Sequence, residues 1–88
     1  MSTRDEETAV FSWYAQRIDG RRNMYRWYSV WLTQNLFGEW ECWTAWGRLN
    51  RLGQRSMLRA HGSHHHVHAV AHTLQQQKLR RGYCSISR

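Results

Sequence analysis

The segment WTAWGRLNRLGQ, Trp43 to Gln54, places an indole, a glycine and an arginine in succession where a strand pattern gives way to a turn. A tryptophan at a strand's end offers a large flat ring at the rim of a sheet. Glycine lets a backbone or ligand approach closely, and arginine presents a planar fork of donors that matches phosphate. Trp46, Gly47 and Arg48 can together hold one nucleotide, ring against sugar or base and guanidinium against phosphate. The same three residues also suit a core tryptophan followed by an ordinary turn and a solvated arginine.

Other chemistry is less well provided for. Six histidines lie between His61 and His72, and on a helix His64, His68 and His72 fall at i, i+4 and i+8 along one face. Pairs at that spacing chelate zinc or nickel. No carboxylate or cysteine lies nearby to complete a shell, so a polar, solvated helix face with no metal is expected. The acidic residues are scattered, with Asp5, Glu6 and Glu7 near the N-terminus, Asp19 in a loop, and Glu39 and Glu41 around a hairpin. No serine or cysteine has an evident paired base, and no glycine-rich phosphate loop follows a strand. A non-catalytic protein that needs no cofactor is the expectation. Cys42 and Cys84 form neither a CxxC pair nor a dense disulfide framework, so two reduced thiols are expected.

The overall charge points to a partner. Thirteen basic residues against six acidic ones give a formal net charge of +7, and twelve of the thirteen are arginine. An arginine-rich, aromatic-rich surface favours nucleic acid, the alternative being a merely basic soluble protein. Arg21, Arg22, Arg26, Arg48, Arg51 and Arg55 are expected to gather as one basic patch. No apolar run approaches the ~18 residues of a membrane span, and the N-terminus lacks a basic head followed by an apolar stretch. A cytoplasmic protein without membrane contact is expected.

The elements that must position these residues follow from turn chemistry and periodicity. The 88 residues suit one domain, read as a flexible arm over residues 1–8 followed by a folded unit over 9–88. Ala9 to Arg17 has strand length, and Ile18 to Asn23 is a basic loop marked by Asp-Gly and Asn. Tyr25 to Gln34 alternates, with Tyr28, Val30 and Leu32 on one face and Tyr25, Trp27 and Trp31 on the other. A turn at Asn35 to Gly38 leads into Glu39 to Trp46, where Trp40, Cys42, Thr44 and Trp46 share a face, so an antiparallel hairpin is predicted. Gln54 to Ala60 supplies another strand. Ser63 then caps a helix whose Val67, Val70, Ala71 and Leu74 form one buried stripe, with Lys78, Arg80 and Arg81 at its C-terminal end and Gly82 as the left-handed stop. Tyr83 to Arg88 closes a last edge strand. The predicted fold is α+β, an antiparallel sheet of about four to five strands with one α-helix packed on one face and the other face free for a partner.

With these elements in place, Trp46-Gly47-Arg48, the apolar residue after it and Gly53-Gln54 resemble the signature of the WGR domain. That module occurs in poly(ADP-ribose) polymerases and in small stand-alone bacterial proteins. Ile18-Asp19, Asn23, Leu36 to Trp40 and Lys78 to Tyr83 agree with the family pattern, so the resemblance spans Val10 to Tyr83. It implies an antiparallel sheet with one helix and contact with DNA near a strand break. By the same resemblance, Trp46 packs against the sugar of a terminal nucleotide and Arg48 contacts phosphate or a neighbouring domain. Asn23 and Arg26 match positions that help bind the DNA backbone. Asn50 departs from the family's usual glycine, although asparagine tolerates the left-handed region. No catalytic domain is expected within these 88 residues, and the alternative role is a protein-interaction module that docks a DNA-processing enzyme in trans.

Overall fold

The computed structural model describes residues 11–87. The arm expected over residues 1–8 therefore lies outside the described residues, as do Ala9 and Val10 of the first expected strand. The elements run β1 (Ser12–Asp19), a 3-10 turn (Gly20–Arg22), β2 (Met24–Gln34), β3 (Trp40–Arg48), β4 (Arg55–Gly62), α1 (His64–Arg80) and β5 (Cys84–Ser85). The five strands form one sheet in the order β4-β3-β2-β1-β5, with every neighbouring pair antiparallel. This is the predicted α+β architecture.

Period-two alternation sorts the sheet into a covered and an open face. Tyr28, Val30 and Leu32 of β2 lie beside Trp46, Thr44 and Cys42 of β3 in the cross-strand register, and β1 adds Trp13 and Ala15. Trp46 excepted, these residues form the core with Val67 and Ala71 of the helix, while Trp46, Trp40, Val70 and Leu74 pack at its rim. The predicted helix stripe meets its sheet partners, but only Val67 and Ala71 are buried, with Val70 and Leu74 half-buried. Seventeen residues of helix extend about 25 Å, enough to cross the central strands without covering their whole length.

Both helix ends carry recognisable stops. The Ser63 hydroxyl accepts from the His66 N–H at 3.1 Å, the N-cap arrangement. At the other end Gly82, with φ +94°, donates to the Leu79 carbonyl, and Tyr83 donates to the Lys78 carbonyl, both at 3.1 Å. Those two bonds define a Schellman motif, and they turn Tyr83 back into the core, where it is 8% exposed.

Four boundaries differ from the sequence expectation, the first being β3, which runs past Trp46 through Gly47 and Arg48, paired with Trp27 and Arg26. β1 continues through Ile18 and Asp19, which pair with Tyr25 and Met24, so the expected loop shrinks to a 3-10 turn. Asn23 absorbs the reversal at φ +55°. β4 runs on to Gly62 because a bulge opposite Cys42 and Trp43 resets its register and lets Gly62 pair with Trp40. β5 is only two residues, tied to β1 by Ala15–Ser85 and Gln16–Cys84 pairing and by a 2.8 Å bond from Trp13 Nε1 to Ser85 Oγ.

Candidate nucleic-acid interface

The open end of the β2–β3 hairpin brings the motif residues together. In its register Arg26 stands opposite Arg48, Trp27 opposite Gly47 and Tyr28 opposite Trp46. Alternation then puts Trp46 and Arg26 on the helix side of the sheet, where α1 has ended. The candidate site is consequently on that side and not on the free face expected for a partner. A groove of about 510 Å³ opens there, lined by Arg26, Trp27, Tyr28, Trp46, Gly47, Arg48, Arg59, Lys78 and Tyr83. Its lining includes four cationic side chains and no carboxylate. Such a groove attracts anions, and its aromatic floor supplies a flat apolar surface beside them.

Each motif residue has a definite structural duty. Trp46 is half-buried, packed against the rim of the core. Arg59 lies over its ring at 5.4 Å and donates from Nε to Thr44 Oγ1 at 2.8 Å. On its other border Trp46 lines a second, shallower depression of about 280 Å³ with Gly47, Gly53, Gln54 and Arg55. Gly47 has no room for a side chain, since an added Cβ would meet Trp27 Nε1 at 2.9 Å and the Gly53 carbonyl at 3.3 Å. The close approach that glycine permits is therefore made by Trp27 and the following turn. Asn50, with φ +62°, holds the left-handed conformation that turn needs.

Arg48 and Asn23, far apart in sequence, are joined: Arg48 Nη2 donates to both the backbone carbonyl and the side-chain oxygen of Asn23, each at 3.3 Å. The guanidinium also lies 5.8 Å from the centre of the Tyr25 ring. Arg48 is thus oriented at the groove's mouth by two contacts. Arg21 and Arg22 project from the 3-10 turn just before Asn23, where Arg22 pairs with Asp19 at 3.6 Å. Arg51 is exposed in the turn after β3. Arg21, Arg22 and Arg51 line neither depression, whereas Arg26, Arg48 and Arg55 do.

Arg59, Lys78, Tyr28 and Tyr83 were not among the site residues that sequence reasoning selected. The β4 bulge hid Arg59, because simple alternation does not predict which face it joins. Lys78 was assigned to the helix dipole alone. Its Nζ lies 4.4 Å from the centre of the Tyr28 ring and 5.3 Å from that of Tyr83. Burial holds this amine below the usual lysine range, and Arg81, Arg59 and Arg26 push the same way. Burial likewise pushes the Tyr28 phenol up, partly offset by Thr44 and Arg59. A signal was present all the same: Lys78 is the single lysine in a chain otherwise served by arginine.

Elsewhere, His64 is less solvated than expected. Its ring packs edge-on against Trp40 at 4.8 Å and lies 5.8 Å from His68. Among the described residues no group of three or more His, Cys, Asp or Glu could hold a metal ion. Cys42 is buried and Cys84 exposed, both as free thiols. No helix among the described residues is long and apolar enough to cross a membrane.

Comparison with known proteins follows the geometry. A family model described as WGR domain matches residues 11–88. The chain is also similar to a protein of Sinorhizobium fredii (strain NBRC 101917 / NGR234) named Uncharacterized protein y4dW, with 36% identity over 70 residues, 80% of this chain and 34% of that protein. The matched stretch is therefore a minor part of that relative's length. No solved structure matches the chain.

Proposed function

The chain belongs to the WGR family, a module without catalytic activity of its own, and on that premise we propose that it binds DNA near strand ends or nicks through backbone phosphates and a terminal sugar. The observation that carries this reading is the groove at the open end of the hairpin. It combines the Trp46 ring with Arg26, Arg48, Arg59 and Lys78 and has no carboxylate in its lining. A terminal sugar can slide its edge along an indole at the rim, where a continuous strand would have to bend away from the sheet. Phosphates on either side meet arginine forks, which bind them in bidentate fashion. Asn23 holds Arg48 for that contact.

Docking of a partner protein in trans is the second reading. It is favoured by the open sheet face, where Trp27, Trp31 and Trp43 are half-exposed and Leu58 is 40% exposed. Equilibrium binding to nicked duplex, intact duplex and single strand separates the two. The DNA reading expects nicked duplex to be bound most tightly, with log affinity falling against log salt by about 0.9 for each phosphate neutralised. Equal binding to all three rejects the preference for nicks, and affinity indifferent to salt rejects the DNA reading in favour of protein docking.

A further inference from the structure

Among thirteen basic residues only Lys78 has an amine, and it lines the groove beside Trp46. An amine differs from a guanidinium in one decisive respect: when it sheds its proton it becomes a nucleophile, whereas arginine stays charged. Burial and the neighbouring arginines favour that loss, against the attraction of two ring faces for an ammonium. Two aromatic rings cover it, Tyr28 at 4.4 Å and Tyr83 at 5.3 Å, and both tyrosines are themselves buried. Arg26 and Arg59 line the same groove. Among the described residues the ion pairs are Arg22–Asp19 and His61–Glu39, so no carboxylate there holds Lys78 protonated. A lysine that is desolvated and crowded by cations is the usual setting for condensation with a carbonyl.

From this arrangement we propose that Lys78 captures an abasic deoxyribose covalently, its Nζ condensing with the C1′ aldehyde of the ring-opened sugar lodged beside Trp46. The proposal rests on the DNA-end reading given above. The neutral amine's lone pair forms the N–C1′ bond while the carbonyl π pair moves to oxygen. A proton passes from nitrogen to that oxygen, a second proton from solvent makes it leave as water, and a protonated imine remains. In sum, amine, aldehyde and one proton give iminium and one water, with nothing oxidised or reduced. The phosphates flanking the sugar fall to Arg26, Arg48 and Arg59. Cutting the strand would further require a base for the C2′ proton, and the groove's lining holds neither carboxylate nor imidazole. Capture therefore stops at the imine and reverses by hydrolysis.

The test uses a nicked duplex bearing one abasic sugar at the nick, and a matched duplex whose tetrahydrofuran residue lacks the aldehyde. With borohydride present, the wild-type chain is expected to give a reduced adduct on the first duplex and none on the second, mapped by mass spectrometry to the peptide containing Lys78. Lys78→Arg, and Lys78→Met as a second variant with its melting temperature checked, should lower the adduct by about tenfold or more. Binding of the tetrahydrofuran duplex is measured for each variant as well, so that adduct yield is compared per bound complex. An adduct of wild-type yield in Lys78→Arg, an adduct mapped to another amine, or binding of the abasic duplex with no adduct overturns the proposal. Strand scission that depends on Lys78 overturns its claim that the reaction stops at the imine. Failure of the wild-type chain to bind the tetrahydrofuran duplex would instead remove the DNA reading itself, so the two failures are distinguishable.

Discussion

Arg59 lies over the indole of Trp46, its guanidinium carbon 5.4 Å from the ring centre, and is anchored there by a 2.8 Å bond from Nε to Thr44 Oγ1. One face of the ring is therefore already stacked, and a ligand meets its free border. Thr44 is fully buried, so the anchor is fixed while the rest of the guanidinium reaches the groove. The pairing leaves Trp46 a wall of the core on one side and, on the DNA reading, a surface offered to a sugar on the other.

Trp46→Ala is accordingly expected to act twice. Binding to nicked duplex should weaken by roughly 1 to 3 kcal/mol, the range for aromatic stacking on nucleic acid. Stability should fall by less than the ~3 to 5 kcal/mol of a fully buried tryptophan, because Trp46 is only half-buried. Titration and denaturant melts on one preparation check both. Full stability loss with unchanged affinity in the folded fraction would make Trp46 a core residue alone.

Arg48 and Asn23 should behave as one unit. Arg48→Ala is expected to flatten the salt dependence of duplex binding by about one unit and to leave melting nearly unchanged. Asn23→Gly keeps the left-handed turn but removes the Oδ1 acceptor. Its effect on affinity should be partly contained in that of Arg48→Ala, giving a non-additive double-mutant cycle. Strict additivity would mean that the bond to Asn23 does not orient Arg48.

Gly47→Ala tests packing within the motif. The new methyl would lie 2.9 Å from Trp27 Nε1 and 3.2 Å from its Cε2, closer than real contacts allow. A destabilisation of about 1 to 3 kcal/mol is expected, measured by chemical denaturation. Replacing Trp27 with leucine in the Gly47→Ala background should recover part of it, unless the Gly53 carbonyl at 3.3 Å is the harder obstacle.

Lys78 should leave a signature in the pH dependence of stability. Burial holds its folded-state amine below the usual lysine range, so between that lowered value and the ordinary ~10.4 the unfolded chain binds the extra proton. Keeping Lys78 charged in the fold therefore costs stability most fully below the folded value, and the cost disappears as pH rises to the unfolded one. Lys78→Met escapes the effect. Its stability relative to wild type should decline as pH climbs toward ~10.4, read from denaturant melts at stepped pH. A difference that stays constant with pH would show no linked titration.

The strands and helix were legible because the chain writes its covered face in strict alternation. Tyr28, Val30 and Leu32 match Trp46, Thr44 and Cys42 across the hairpin, and Val67 and Ala71 answer from the helix. Trp46, Gly47 and Arg48 were legible from the motif they spell and Arg26 from the family pattern and its charge, whereas the face they share was not. What was not legible depended on geometry with no local sign. A bulge brings Arg59 to the Trp46 ring, and a helix stop delivers Tyr83 and Lys78 to the same place. The long-range bond between Arg48 and Asn23 needed the completed sheet.

The helix stop and the groove are one piece of structure. The Tyr83 amide donates to the Lys78 carbonyl, and the side chains of both residues line the site. Whatever fills the groove must press on the last turn of α1, and fraying of that turn must dismantle the groove. The Tyr83 amide proton is therefore a built-in gauge of occupancy, its exchange with solvent slowing as ligand holds the turn closed. On the DNA reading, affinity and the local opening of one helix terminus are linked equilibria, each shifting the other.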